Sequence, residues 1–450
     1  MKWLLLLFWI CLFPVVTSLL KATPRNFRWA AFAMGFMPFV MGAWHLYIAP
    51  VSNPGWPGAV KGMEVSALDF LAVAIIVATQ RGSVRTTQLW PWLLYILAAV
   101  IAVPNAGVFM PAAFYPWQLI RMIVVFIAAF RLVSINGTTD YVLYGIFAGV
   151  AYHMCFAVLQ KAQGVAQASG ELGAQNLLGL TTHFALVPAL AMIVQRRRGA
   201  LPWIALAAAA TVELLTGSRA TLGFAAIGAM LFLLLSCLKN FTGRKGAVLS
   251  LGIAGMLLTM PLALKSISAR RAGNTIESSN GERAAFNRAA WMIIKDHPMG
   301  IGPNHYVLVA NVGGYNQRAG VNWNGGSRST SVHNSYLLAW AETGIFGFLT
   351  LILLLTVPVF NAIRTAFRFK HDERSDILLG LGIAIVVVSL HFLYEWLFVL
   401  FLVQYEFSLI AGTAAGLAAL LRRTHQSGRA QRRPALGATS AGAEHPVNSS

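Results

Sequence analysis

The chain has 450 residues, 57% of them hydrophobic and 11% charged, with a formal net charge of +19. Soluble domains carry roughly a quarter charged residues, so this composition excludes an ordinary soluble protein and leaves no room for a large aqueous domain. The basic residues punctuate apolar runs instead of gathering in one patch, which argues against a nucleic-acid partner and for a membrane protein that crosses the bilayer many times.

Apolar runs of about 17 to 25 residues can span a bilayer as helices. In chain order the pattern predicts spans near 3–20, 29–49, 64–80, 89–108, 117–135, 139–161, 176–195, 199–216, 220–237, 247–264, 334–361, 376–394 and 398–421. Residues 1–18 could pass for a secretory signal, but they lack a good small-residue cleavage site and further hydrophobic spans follow, so an uncleaved first helix is expected. The third span carries Glu64 and Asp69, unusual inside lipid. Cys11, Cys155 and Cys237 lie in apolar runs without CxxC spacing and read as packing residues.

Charge orients the array. Lys and Arg concentrate on cytoplasmic loops, and clusters occur at Lys21/Arg25/Arg28, Arg81/Arg85, Arg196/Arg197/Arg198, Lys239/Arg244/Lys245, Arg364/Arg368/Lys370/Arg374 and Arg422/Arg423. The alternate connections 105–116, 163–175 and the turn at Gly217 are nearly free of positive charge and face outward. Four regions follow: amino-terminal helices over 1–264, a long outer connection over 265–332, carboxyl-terminal helices over 333–421, and a polar basic tail over 422–450 expected to be disordered and cytoplasmic.

The connection 265–332 holds Lys265, Arg270, Arg271, Arg283, Arg288, Lys295, Arg318 and Arg328 against Glu277, Glu282 and Asp296. An excess of positive charge on the outer side suggests an anionic ligand there. Within it, 280–298 has Asn280 as N-cap, an apolar face of Ala285, Ala289, Met292 and Ile293, and Pro298 as terminator, which predicts a short helix over the membrane mouth. The Gly- and Asn-rich stretch after it suits a lid or an acceptor-binding loop.

Three positions invite chemistry. A helix beginning near 331–334 would put His333 in its first turn, where the positive end of the helix disfavours protonation; a neutral imidazole can take a proton from a hydroxyl. The alternative is a histidine that only caps or packs. Arg219 falls in the first turn after "TGS", where its charge has the wrong sign for the helix end unless an anion sits between them; the alternative is snorkelling to headgroups. Arg283 and Arg288, five residues apart, point about 140° from each other on a helix, so at most one faces a given ligand closely, and either could be a solvated surface charge. Intramembrane ionisable groups are functional candidates as well: Asp69, Arg121, Glu213, Glu395, Glu406, His153, His183 and His391. Structural pairing is the preferred reading for these, since paired discontinuous helices of the transporter kind are not evident. Neither DxD nor HExxH occurs, so neither a metal nor another cofactor is expected.

Three segments together, "TGSRATLGF", "GERAAFNRAAWMIIKDHPMGIGPNHY" and "VHNSYLLAWAETGIFGF", make the chain resemble the bacterial O-antigen ligase and O-antigen polymerase superfamily. The likeness in order and spacing covers about residues 200–350. The resemblance implies an all-α fold of the GT-C-like membrane glycosyltransferase type, with about 12 to 13 transmembrane helices and one large periplasmic loop. It also implies an inner-membrane location with the active site facing the periplasm. By resemblance, Arg219 and Arg283 hold the diphosphate of a polyprenyl-linked glycan donor and His333 is the base. One departure is Asn287, where the family commonly has tryptophan, with Trp291 a turn later; it leaves Arg288 as a possible substitute for Arg283. The acceptor would be lipid A core or another glycan. A repeat-unit polymerase is the near alternative, a transferase acting on pilin or another protein a third, and a lipid-linked glycan flippase the distant one.

Overall fold

The structure is a computed structural model that describes residues 2–79, 88–195, 199–272 and 275–437. The basic clusters Arg81/Arg85 and Arg196/Arg197/Arg198 lie outside the described residues. The first part consists of α1 (Lys2–Ala22), α2 (Pro24–Val40), the strands β1 (Tyr47–Ser52) and β2 (Gly62–Ser66), α3 (Ala67–Ala78), α4 (Trp90–Ala102), α5 (Phe109–Asn136), α6 (Thr139–Ala162), α7 (Gln175–Val194), α8 (Leu201–Thr216), α9 (Arg219–Lys239) and α10 (Gly243–Ala272). The long connection holds α11 (Thr275–Asp296), α12 (Tyr306–Val312), α13 (Tyr315–Arg318) and α14 (Gly325–Arg328). The chain then runs through α15 (Ser335–Arg368), α16 (Arg374–His391) and α17 (Phe401–Gly437).

The protein is an all-α, multi-pass membrane protein. Every predicted span overlaps one of α1 to α10 or α15 to α17. Among the described residues, 8 helices are long and apolar enough to cross a membrane, and Ala67–Ala78, Trp90–Asn105 and Leu201–Thr216 are shorter apolar helices. Helix α7 is buried on every side and forms the axis of the bundle, whereas α1 shows most of its surface and lies at the edge. Helices α2 and α6 cross at Gly35 and Gly145. A Cβ on Gly35 would stand 2.2 Å from the Val142 carbonyl oxygen, and one on Gly145 2.1 Å from that of Phe32, so only glycine permits this approach.

Several boundaries differ from expectation: α5 begins at Phe109 within the expected 105–116 connection, α10 runs on to Ala272, and α11 begins at Thr275, which puts the expected N-cap Asn280 inside the helix. The span expected over 29–49 stops at Val40, and the chain folds back as an antiparallel hairpin pairing Tyr47 with Ser66 and Ile48 with Val65. Its tip carries Asn53, Pro54, Gly55, Pro57 and Gly58, residues that end a helix and favour turns. The next helix begins at Ala67 instead of 64, because Ser66 and Asp69 form a reciprocal capping box. The tail expected to be disordered from 422 instead continues α17 to Gly437. Arg422 donates to Thr365 Oγ1 at 2.8 Å and His425 Nε2 lies 3.2 Å from Asp372, contacts that hold the extra turns against α15 and the turn after it. Residues 438–450 lie outside the described residues.

The long connection is a folded unit with its own apolar core. Ala285, Phe286, Ala289 and Ile293 of α11 pack on Tyr306, Ala310, Tyr315, Leu337 and Leu338, apart from the core of the main bundle. The predicted apolar face of the 280–298 helix is therefore its buried face. The Gly- and Asn-rich stretch is tied down by buried polar groups: Asn304 Nδ2 donates to the Val60 and Pro111 carbonyls at 2.8 and 3.1 Å, and its Oδ1 accepts the Val60 N–H at 3.0 Å. The hairpin tip and the connection are thereby joined at one end of the bundle.

Candidate active site

At that end a single buried carboxylate draws three segments together. Glu395 lies in the turn between α16 and α17. Its Oε1 accepts from Arg283 Nη2 of α11 at 2.8 Å and from Asn176 Nδ2 of α7 at 2.7 Å, while Oε2 is 3.1 Å from His333 Nδ1. Backbone bonds set the register of this meeting. Ser335 donates its N–H to the Phe392 carbonyl at 2.9 Å and its hydroxyl to the Glu395 carbonyl at 2.7 Å, bolting the start of α15 onto the Glu395 turn.

His333 stands ahead of its helix, which corrects the expectation of a first-turn imidazole. Asn334 is the N-cap, its Oδ1 accepting the N–H groups of Tyr336 and Leu337 at 2.9 and 3.0 Å. The influence of the helix end falls off beyond the first turn, so the group that addresses the imidazole is Glu395. A neutral imidazole protonated on Nδ1 donates to that carboxylate and keeps the Nε2 lone pair for another proton. The Phe286 ring, 5.5 Å from the imidazole centroid, packs against it, and about a quarter of the side chain faces solvent.

The two other arginines are placed differently. Arg219 heads α9 behind the Ser218 cap, exposed, and takes no ion pair among the described residues. It belongs to the same end: a Cβ on Gly179, one turn into α7, would touch Thr221, and Asn176 of the first turn holds Glu395. Phe224 of α9 also packs against Tyr394, the neighbour of Glu395. Arg288 is turned away from Glu395 and donates to the Ala319 carbonyl at 2.9 Å, clipping α11 to the turn that follows α13. Of the pair five residues apart, Arg283 is the one brought to the histidine.

The segment "HPMGIGPNHY" is anchored beneath the site. Glu342 accepts the backbone N–H groups of Asn304 and Tyr306, each at 2.9 Å, and Ile301 and Gly302 donate to the Ala341 and Glu342 carbonyls. Gly344, with φ +68°, breaks α15 where the backbone of Met299 and Pro298 crowds it, and a Cβ there would lie 2.8 Å from Met299 C. His305 donates from Nδ1 to the Pro303 carbonyl at 2.9 Å and accepts the Val108 N–H on Nε2 at 3.2 Å. Burial holds its pKa below the ordinary histidine range, against the opposing pull of the Pro303 carbonyl.

Sequence reasoning singled out Glu395 only as one ionisable group among several, by its place in the apolar run "HFLYEWLF". Asn176 gave no signal, being an ordinary polar residue at a helix start. Glu342 and Asn304, which hold the connection in place, also went unmarked.

These features define a class: an all-helical multi-pass membrane protein with an arginine, histidine and glutamate site at one end of its bundle, under a folded connection. Residues 204–352 match the family model described as O-antigen ligase. The match runs from α8 into α15, takes in Arg219, Arg283, Arg288 and His333, and supports the O-antigen ligase superfamily for this chain. A search of curated proteins found no match.

Proposed function

We propose that the protein is an O-antigen ligase-like glycosyltransferase of the bacterial inner membrane, moving a glycan from a polyprenyl diphosphate carrier to an acceptor hydroxyl on the periplasmic face. The observation that carries this reading is the clamp of Glu395 on Arg283 and His333, which sets a base and a cation side by side in a partly open site. The acceptor hydroxyl gives its proton to His333 Nε2 as its oxygen bonds to the anomeric carbon, and the bond from that carbon to the diphosphate oxygen breaks. The leaving diphosphate keeps the electron pair and is met by Arg283, which has N–H groups beyond the one held by Glu395, and by Arg219 at the positive end of α9. Attack opposite the leaving group inverts the anomeric centre. Arginines would supply the countercharge that a metal supplies in other transferases.

The test is transfer in vitro with purified lipid-linked donor. His333→Ala should lower the rate by about 10²- to 10⁴-fold, the range for loss of a general base, with Arg219→Ala also impaired and both variants inserting normally in the membrane. Undiminished transfer by His333→Ala overturns the assignment. Within this reading the acceptor is lipid A core for a ligase and another lipid-linked repeat unit for a polymerase. A deletion strain distinguishes them: lipid-linked polymer left unattached marks a ligase, and glycans that stop at one repeat mark a polymerase.

A further inference from the structure

Behind the site, inside the bundle, lies a file of three buried ionisable groups that the proposed chemistry leaves unused. His391 Nδ1, at the end of α16, is 3.2 Å from His183 Nε2 of α7. His183 Nδ1 is 3.3 Å from Glu213 Oε1 of α8, near enough to exchange a proton after a small ring rotation, although in this state it lies off the hydrogen-bond axis. All three side chains are sealed from solvent. His391 Nε2 and Glu213 Oε2 have no hydrogen-bond partner, so the file has an open terminus at each end.

Thr182 favours the protonated form of Glu213. Its hydroxyl oxygen lies 2.6 Å from the Gly179 carbonyl and also in hydrogen-bond contact with Glu213 Oε1. One hydroxyl has one proton and cannot donate to two oxygens. The Gly179 carbonyl has none to give, so the second contact is satisfied when Glu213 carries a proton and donates it to Thr182. An ionised Glu213 would be a sealed carboxylate with, among the described residues, neither a cation nor a full set of donors, which burial disfavours.

We propose that Glu213 stores a proton in the bundle and exchanges it with the site end through His183 and His391. The transfer balances bond for bond. A proton entering from the site end binds His391 Nε2; His391 passes its Nδ1 proton to His183 Nε2; His183 passes its Nδ1 proton to Glu213 Oε1. Each nitrogen that loses a proton faces the nitrogen or oxygen that gains it, and the net change is one proton added to the file. Besides the three themselves, the charges within reach of His391 are Glu395, one turn further along the chain, and Arg283. The file's occupancy is thereby linked electrostatically to the clamp.

The test is infrared spectroscopy of the full chain in lipid nanodiscs, following the carbonyl stretch of protonated carboxyl groups on transfer from H2O to D2O. The wild type should show a band that is lost in Glu213→Gln and returns, displaced, in Glu213→Asp. His391→Phe and His183→Phe should retain the band but lose its rapid deuterium shift. The proposal is overturned if Glu213→Gln removes no band, or if the band exchanges in His391→Phe as it does in the wild type. Should the glutamine variant fail to fold, carbon-13 NMR of glutamate-labelled wild type reads the same state, and a full complement of ionised carboxylates overturns it. None of these readouts involves glycan transfer, so they stand or fall separately from it.

Discussion

Two ends of the bundle solve the same charge problem in opposite ways. At one end Glu395 meets Arg283 and His333, with side-chain exposures of 3%, 29% and 24%. At the other end Asp376 meets Lys239 at 2.8 Å and Lys245 at 3.1 Å, with exposures of 8%, 0% and 4%. Each places one carboxylate between two basic groups. The lysine end is closed: Ser236 donates to Asp376 at 2.6 Å, and the ammonium groups spend further donors on Ser375, Asn240 and the Ser236 carbonyl. Among the described residues the clamp end keeps unused capacity, a free imidazole nitrogen and spare guanidinium N–H groups. On the proposed reading, a buried charge cluster becomes a reactive site when its basic partners are only half consumed by it and half open to water.

Substitutions at the two ends should separate folding from chemistry. The largest stability loss is expected for Asp376→Ala, about 3 to 5 kcal/mol, because it strands two sealed ammonium groups; chemical denaturation in detergent measures it, and the surviving folded fraction should transfer at the wild-type rate. Glu395→Gln should do the reverse. Fold stability should drop only by about 1 to 2 kcal/mol, since Arg283 and His333 can turn to water, while transfer should fall strongly through loss of the tautomer lock, with kcat affected more than KM. Equal stability losses at Glu395 and Asp376 would erase the distinction.

Smaller effects sharpen it. Ser335→Ala removes the hydroxyl bolt between α15 and the Glu395 turn and should cost about 1 kcal/mol, with a measurable fall in kcat as the histidine loses register. Acid should weaken the site end through His305. Its folded pKa lies below the unfolded value, so its contribution is complete above the unfolded histidine range and is lost as pH falls through that range toward the folded pKa. His305→Gln should flatten that loss in a stability-against-pH profile. At the opposite end, burial pushes the Asp372 carboxyl up, but hydrogen bonds from Arg374 outweigh it and hold the pKa below the ordinary carboxylate range. That contribution is present above the unfolded pKa and lost as pH falls through the folded one. The group is partly exposed, and Asp372→Asn should cost less than about 1 kcal/mol.

The chain itself disclosed its class, its helices and the folded segment of the long connection, and it offered the histidine and arginines as candidates, because each leaves a local trace. A run of apolar residues long enough to cross lipid needs no partner to be recognised, and the amphipathic repeat of 280–298 marks its own buried face. The hairpin over 47–66 was hidden because its apolar residues read as the continuation of a span; only its pairing and its bonds to Asn304 reveal that the chain turns back. The Glu395 clamp was hidden for a deeper reason. Asn176, Arg283, His333 and Glu395 belong to four segments far apart in the chain, and no local pattern encodes a meeting that depends on how α7, α11, α15 and α16 pack. Local sequence determined which groups were available and roughly where along the bilayer they lie; tertiary packing alone decided that one carboxylate should hold two of them and leave them open to water.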